Sequence, residues 1–252
     1  MTYCLAIKVN QGIVFASDSR TNAGVDYISI YSKMYTFDLP NDRLMVLLSS
    51  GNLATTQAVV NYIKRDIELD ARVNLKNVHY LYDAAEYIGK LLKEYQAEND
   101  KTLGKSGISA EASFILGGQI QGHEQQIYLI YPQGNYISAS DDTPYLQIGE
   151  TKYGKPILDR VIRTITTLED AARCALVSLD STIRSNISVG PPIELAICET
   201  GQFEISHYLT LNTGTQFYTT LQKTWNDGIR RAFDRLPRFD WEKPKLVKEE
   251  KT

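Results

Sequence analysis

The chain has 252 residues, a net charge of −3, 43% apolar and 23% charged side chains. That length allows one large domain or two small ones, and the composition is that of an ordinary globular protein. The weak negative charge carries no footprint for nucleic acid or an anionic membrane, and no apolar run nears the ~20 residues of a spanning helix. Met1-Thr2-Tyr3-Cys4 lacks the basic region of a secretory signal. Cys4, Cys174 and Cys198 form no Cys-x-x-Cys pair and read as three buried or half-buried thiols in a reducing cytoplasm.

Tyr3–Val9 alternates in character, and after a turn at Asn10-Gln11-Gly12 the run Ile13–Asp18 forms the second strand of a hairpin. It ends in Asp18-Ser19-Arg20 and a turn containing Gly24. Lys33–Phe37 reads as a short strand, Pro40-Asn41-Asp42 as its turn, and Leu44–Ser49 as an apolar strand closed by Ser50-Gly51. Short turns between strands make them antiparallel neighbours. From Asn52, the residues Leu53, Thr56, Val60, Ile63 and Ile67 recur at helical spacing. Val78, Leu81, Ala85, Ile88, Leu92 and Tyr95 trace a second helix that ends at Asn99-Asp100. Lys101–Ala110 reads as a loop.

Strands resume at Ala112–Leu116 and Gln126–Tyr131, separated by Gly117, Gly118 and Gly122, with weaker candidates at Tyr136-Ile137 and Tyr145–Ile148. The Gly117–Gly122 segment has a phosphate-loop look, but no Lys-Ser/Thr follows it, so it reads as a hairpin turn. Pro156 suits the first position of a short helix carrying Ile157, Leu158, Val161, Ile162 and Ile165. Thr167 caps a longer helix with Leu168, Ala172, Leu176, Leu179 and Ile183 on its inner face. Beyond Pro191-Pro192, Ile193–Ile197 and Phe203–His207 alternate as a hairpin. Phe217, Leu221, Trp225, Ile229 and Phe233 mark a last amphipathic helix, followed from Pro237 by a charged tail. This order predicts an α+β fold: two antiparallel sheets face to face, flanked by helix layers in a four-layer αββα sandwich. Residues 1–236 would form it as one domain, and 237–252 a tail.

Thr2, Asp18-Ser19-Arg20, Ala23-Gly24, Lys33 and Ser50-Gly51 together resemble a proteasome-type β-subunit, an N-terminal nucleophile hydrolase. Ser32-Lys33-Met34 and Ser50–Gln57 look most like its bacterial Anbu (ancestral β-subunit) branch. The resemblance covers Thr2 to about His207. It implies a threonine-type peptidase site acting on a peptide or protein, without metal or cofactor, in a homo-oligomer of open helical or lock-washer form.

A threonine hydroxyl is a weak nucleophile and needs a base beside it. An N-terminal threonine supplies its own, since an α-amine with a pKa of about 7.7–8.0 is partly neutral at pH 7. Thr2 is small enough for ordinary removal of Met1, which would expose that amine. By resemblance Lys33 lies beside the nucleophile, Asp18 holds the lysine, Arg20 is its charged neighbour, and the Gly51 N–H receives the oxyanion at a helix N-terminus. The same trio could instead be a buried ionic network that only props the sheet. Asp180 matches a later family aspartate. Glu150 and Ile183 stand where the family has serines, with Ser181 and Ser185 near the second. Thr21, Asn22 and Leu53 would line the substrate site.

His79, His123 and His207 are far apart and in no ligand spacing, so no metal site is expected. Phe239 and Trp241, in a charged tail with nothing local to pack on, point to docking on a neighbouring subunit. Two further functions compete with the peptidase: a non-catalytic or vestigial assembly subunit, motivated by Glu150 and Ile183, and a small-molecule amidase of the same nucleophile class.

Overall fold

The computed structural model describes residues 1–22, 28–103 and 109–242; the side chains of Asn22, Ile28 and residues 100–103 are left aside. The tail from 243 on, the Ala23-Gly24 pair and residues 104–108 of the segment read as a loop over Lys101–Ala110 lie outside the described residues.

One sheet has the order β10-β1-β2-β11-β12, from Tyr145–Gly149, Tyr3–Val9, Gly12–Asp18, Ile193–Glu199 and His207–Leu211. The other runs β5-β6-β7-β8-β9, from Met34–Thr36, Arg43–Gly51, Ala112–Ile120, Gln126–Ile130 and Tyr136–Ser138. Every pairing is antiparallel. Helices α1 (Leu53–Glu68) and α2 (Leu81–Leu103) cover the second sheet. Helices α3 (Thr151–Val161) and α4 (Leu168–Ser185) cover the first, with α5 (Gln216–Asp234) beside α4.

Strand periodicity explains the layering. On β1, Tyr3, Leu5, Ile7 and Val9 face α3 and α4, whereas Cys4 and Ala6 enter the core between the sheets. Three apolar cores therefore separate four layers, as the element order predicted. Cys4, Cys174 and Cys198 are free and buried. Burial pushes the Cys174 and Cys198 thiols up to about 12, so they are inert apolar filler.

Several boundaries differ from expectation. A two-stranded ribbon, β3 (Arg20–Asn22) with β4 (Ile28–Ile30), flanks the segment read as a turn. Gly117 and Gly118 lie inside β7, and a Cβ at 117 would stand 2.6 Å from the Phe15 ring, so glycine there makes room for the facing sheet. Helix α3 begins at Thr151, five residues before Pro156. Helix α2 continues through Leu103. Strand β12 lies at His207–Leu211, not Phe203–His207; four of its five residues are exposed, so this edge strand has no apolar alternation to read. Helix α5 is present, but its apolar stripe is only partly covered: Leu221 packs against the core and Trp225 is half-buried, while Phe217, Ile229 and Phe233 are exposed. Positions four apart advance about 40° around a helix at each step, so five of them spread over nearly half the cylinder.

Candidate active site

The site forms where the starts of β1 and β5 meet the ends of β2, β6 and β10. Asp18, the last residue of β2, has no exposed surface, and its carboxylate accepts three bonds. Lys33 Nζ donates to Oδ1 at 2.7 Å, the Tyr3 N–H to Oδ1 at 3.0 Å, and the Gly190 N–H to Oδ2 at 3.1 Å. Burial pushes the Asp18 carboxyl up, while the Lys33 ammonium and the two N–H donors act against that shift.

Lys33, 5% exposed, also donates from Nζ to the Arg20 carbonyl at 2.6 Å. Arg20 thus contributes its main chain, whereas its guanidinium donates to the Ile187 carbonyl at 2.8 Å. The Lys33 carbonyl accepts the Ser49 N–H at 2.9 Å, which ties the lysine to β6. Both ends of Lys33 are held.

Thr2 is 9% exposed, and its carbonyl accepts the Glu150 N–H at 2.8 Å. Gly149 precedes that contact at φ +84°, and a Cβ there would stand 1.9 Å from the Thr2 carbonyl oxygen, so only glycine lets β10 approach. Gly51 ends β6 at φ +110°, with a Cβ position 2.4 Å from the Glu111 carbonyl oxygen. Asn52 follows as the cap of α1, its side chain accepting the Ala54 and Thr55 N–H groups at 3.0 and 3.2 Å.

Thr2, Lys33, Gly51, Thr21 and Leu53 line one cavity of about 440 Å³, together with Met1 and Glu150. At the Met1 α-amine, burial and the neighbouring Lys33 ammonium push the pKa down, against smaller opposing effects of Asp18 and Glu150. Glu150 caps α3 without bonding its amides and pairs loosely with Lys152 at 3.6 Å.

Asp180 is not brought to this cavity. Asp180, 1% exposed, is held by Arg184 one turn on in the same helix at 2.9 Å and, across the α4–α5 contact, by Gln222 and Tyr218. Ser181, Ile183 and Ser185, on the same helix, do not line the cavity either. The Asn22 side chain is outside the described residues. Sequence reasoning missed Tyr35, Ser49, Ser50 and Thr56 in the cavity wall, Gly190 on Asp18, and Asn186, whose Nδ2 lies 3.9 Å from Met1 Sδ. Tyr35 lies two residues after Lys33, a signal at hand; Gly190 had none, since its role is a main-chain N–H.

Among the described residues, no cluster of His, Cys, Asp and Glu could hold a metal, and no helix is long and apolar enough to cross a membrane.

The family model of the proteasome subunit matches residues 2–198. Anbu (ancestral β-subunit) from Yersinia bercovieri is 41% identical, with a TM-score of 0.89 over 96% of this chain and 100% of that one. The helical assembly of the Anbu complex from Pseudomonas aeruginosa is 42% identical, with a TM-score of 0.87 over 97% and 99%. Anbu from Hyphomicrobium sp. strain MC1 is also 42% identical, with a TM-score of 0.87 over 94% and 99%. A search of curated proteins gives no match. The chain therefore belongs to the proteasome subunit family, in its Anbu branch.

Proposed function

We propose that the chain is a threonine-type peptidase, acting through an acyl-enzyme on Thr2 once Met1 has been removed. The observation that carries this reading is the Lys33 ammonium: clamped by Asp18 and the Arg20 carbonyl, it borders the cavity that Thr2 and Gly51 also line.

In this reading the neutral Thr2 amine takes the hydroxyl proton as Oγ1 attacks the scissile carbonyl carbon. The Lys33 charge stabilises the developing alkoxide, and the Gly51 N–H the oxyanion. Collapse of the tetrahedral adduct breaks the C–N bond, the leaving amine takes the proton, and an ester remains on Thr2. The Thr2 amine, neutral again, then takes a proton from water as it attacks the ester carbonyl; collapse breaks the acyl C–Oγ1 bond, Oγ1 takes that proton back, and the carboxylic acid product leaves. Thr21, Asn22 and Leu53 would contact the substrate, and hydroxyl-bearing Tyr35, Ser49 and Thr56 make the wall partly polar. Asp180 has no part in these steps.

The intact mass of the purified protein and a peptide epoxyketone test the proposal. That probe closes a ring on one amine and one hydroxyl. Loss of Met1 and labelling of wild type but not of Thr2→Ala are expected. Met1 retained on the native protein would refute the mechanism.

A second reading, an assembly subunit without turnover, is favoured by Glu150 at the serine position and by Asp180 engaged elsewhere. In that case Met1 removal and labelling both fail while assembly persists. In either reading we propose self-association, supported by the helical assembly of the Pseudomonas aeruginosa relative. Ile229 and Phe233, one turn apart on α5, and the stacked Phe239–Trp241 pair beyond it are the exposed apolar side chains a second copy would cover. Phe233→Ser with Trp241→Ser is expected to shrink the particle in light scattering; an unchanged size would refute this placement.

A further inference from the structure

Glu194 on β11 is 8% exposed, and among the described residues no lysine or arginine pairs with it. It shares its strand face with Ala196 and Cys198, which lie in the core between the sheets. A carboxylate in such a place is tolerated only when hydrogen-bond donors meet it. Here the donors are hydroxyls. Ser32 Oγ lies 3.0 Å from Oε1 and 2.8 Å from Oε2, Ser19 Oγ donates to Oε2 at 3.3 Å, and the Tyr208 hydroxyl donates to Oε1. Ser32 has one proton to give, and the charged carboxylate is a stronger acceptor than the Met34 carbonyl 2.9 Å away. The same Ser32 oxygen accepts the Met34 N–H at 3.3 Å.

The identity of the two serines is what matters. Ser19 follows Asp18, and Ser32 precedes Lys33. They lie in separate segments, one between β2 and β3 and the other between β4 and β5. One carboxylate therefore joins the two stretches of chain that present the ion pair, from outside the cavity that Thr2 lines.

We propose that Glu194 is a positioning residue for the Lys33–Asp18 pair, its carboxylate pinning Ser32 and Ser19 so that Lys33 keeps its place in the cavity that Thr2 also lines. This rests on the threonine-nucleophile reading. Glu194 touches neither substrate nor nucleophile; it acts through main-chain placement, where small displacements at a reacting group cost large rate factors.

The test uses the full-length protein after Met1 removal, the epoxyketone probe, and the variants Glu194→Gln, Ser32→Ala and their combination. Glu194→Gln keeps the side-chain shape and removes the charge. The expected result is about a tenfold fall in the saturating labelling rate, with the half-saturating probe concentration and the melting temperature nearly unchanged. Ser32→Ala is expected to fall in parallel, and the double variant no further than the worse single one, because the two residues act as one unit. A purely structural role would lower the melting temperature and leave the labelling rate of folded protein intact. Labelling of Glu194→Gln at the wild-type rate, or losses that multiply in the double variant, overturns the proposal. If Glu194→Gln does not fold, Ser32→Ala alone decides, since it deletes one exposed hydroxyl; an unchanged rate overturns it. A wild type that is not labelled refutes the threonine-nucleophile reading, and the positioning role falls with it.

Discussion

Replacing Lys33 by Met keeps most of the side-chain volume and leaves Asp18 buried without its cation. The two charges are 2.7 Å apart, with side-chain exposures of 7% and 0%. At an effective dielectric constant of about 20, their attraction is about 6 kcal/mol, much of which offsets the cost of desolvating both ions. Removing one partner exposes that desolvation cost, about 3–5 kcal/mol. The Tyr3 and Gly190 N–H donors remain on the carboxylate and favour the lower end of that range. Urea unfolding at fixed protein concentration measures the loss, since assembly couples to apparent stability. In Lys33→Met, the folded-state pKa of Asp18 lies above its unfolded value of about 3.9, because burial acts without the ammonium. The penalty is then complete at neutral pH and fades as pH falls toward that value, so the gap from wild type should narrow between pH 7 and pH 4. Adding Asp18→Asn should recover much of the loss, because no charge stays buried. A Lys33→Met variant within about 1 kcal/mol of wild type would refute the reasoning, as would an Asp18→Asn change that adds its own separate loss.

Gly51→Ala forces a side chain into a φ of +110° and against the Glu111 carbonyl, and is expected to cost about 1–3 kcal/mol and to abolish labelling at Thr2, read by urea unfolding and mass spectrometry. Asn52→Ala deprives two α1 amides of their acceptor and breaks the Asn52 Nδ2 bond to the Ser109 carbonyl at 2.9 Å; about 1–2 kcal/mol should be lost in the same unfolding assay. In the Met1-free enzyme, burial and the Lys33 ammonium should hold the Thr2 amine below the ordinary ~7.7–8.0, as they do for the Met1 amine. The labelling rate should therefore rise with pH and level off below that range; a rise centred above pH 8 would count against Lys33 lying beside the amine.

Much of this molecule can be read locally. The two-residue alternation of Tyr3–Val9 and the helical spacing from Leu53 to Ile67 belong to neighbouring residues, and both elements stand where they were expected. Thr2, Lys33, Gly51, Thr21 and Leu53, which share the cavity, could be named because a resemblance links residue types at set spacings. Asp180 shows where that failed. Its helix was predicted correctly, but that Asp180 turns to α5 depends on contacts with residues such as Gln222, some forty positions away.

The sequence by itself determined the broad order of strands and helices, the four layers that follow from it, and the residue types at Thr2, Lys33 and Asp18. Only the tertiary structure decided that Arg20 serves through its carbonyl, that Gly190 donates to Asp18 from the far side of the chain, and that Glu194 joins the two segments bearing the ion pair. The reason is physical. Periodicity is set by the geometry of consecutive residues, whereas a main-chain N–H or C=O is the same in every residue and gains a role only when folding brings a distant partner to it.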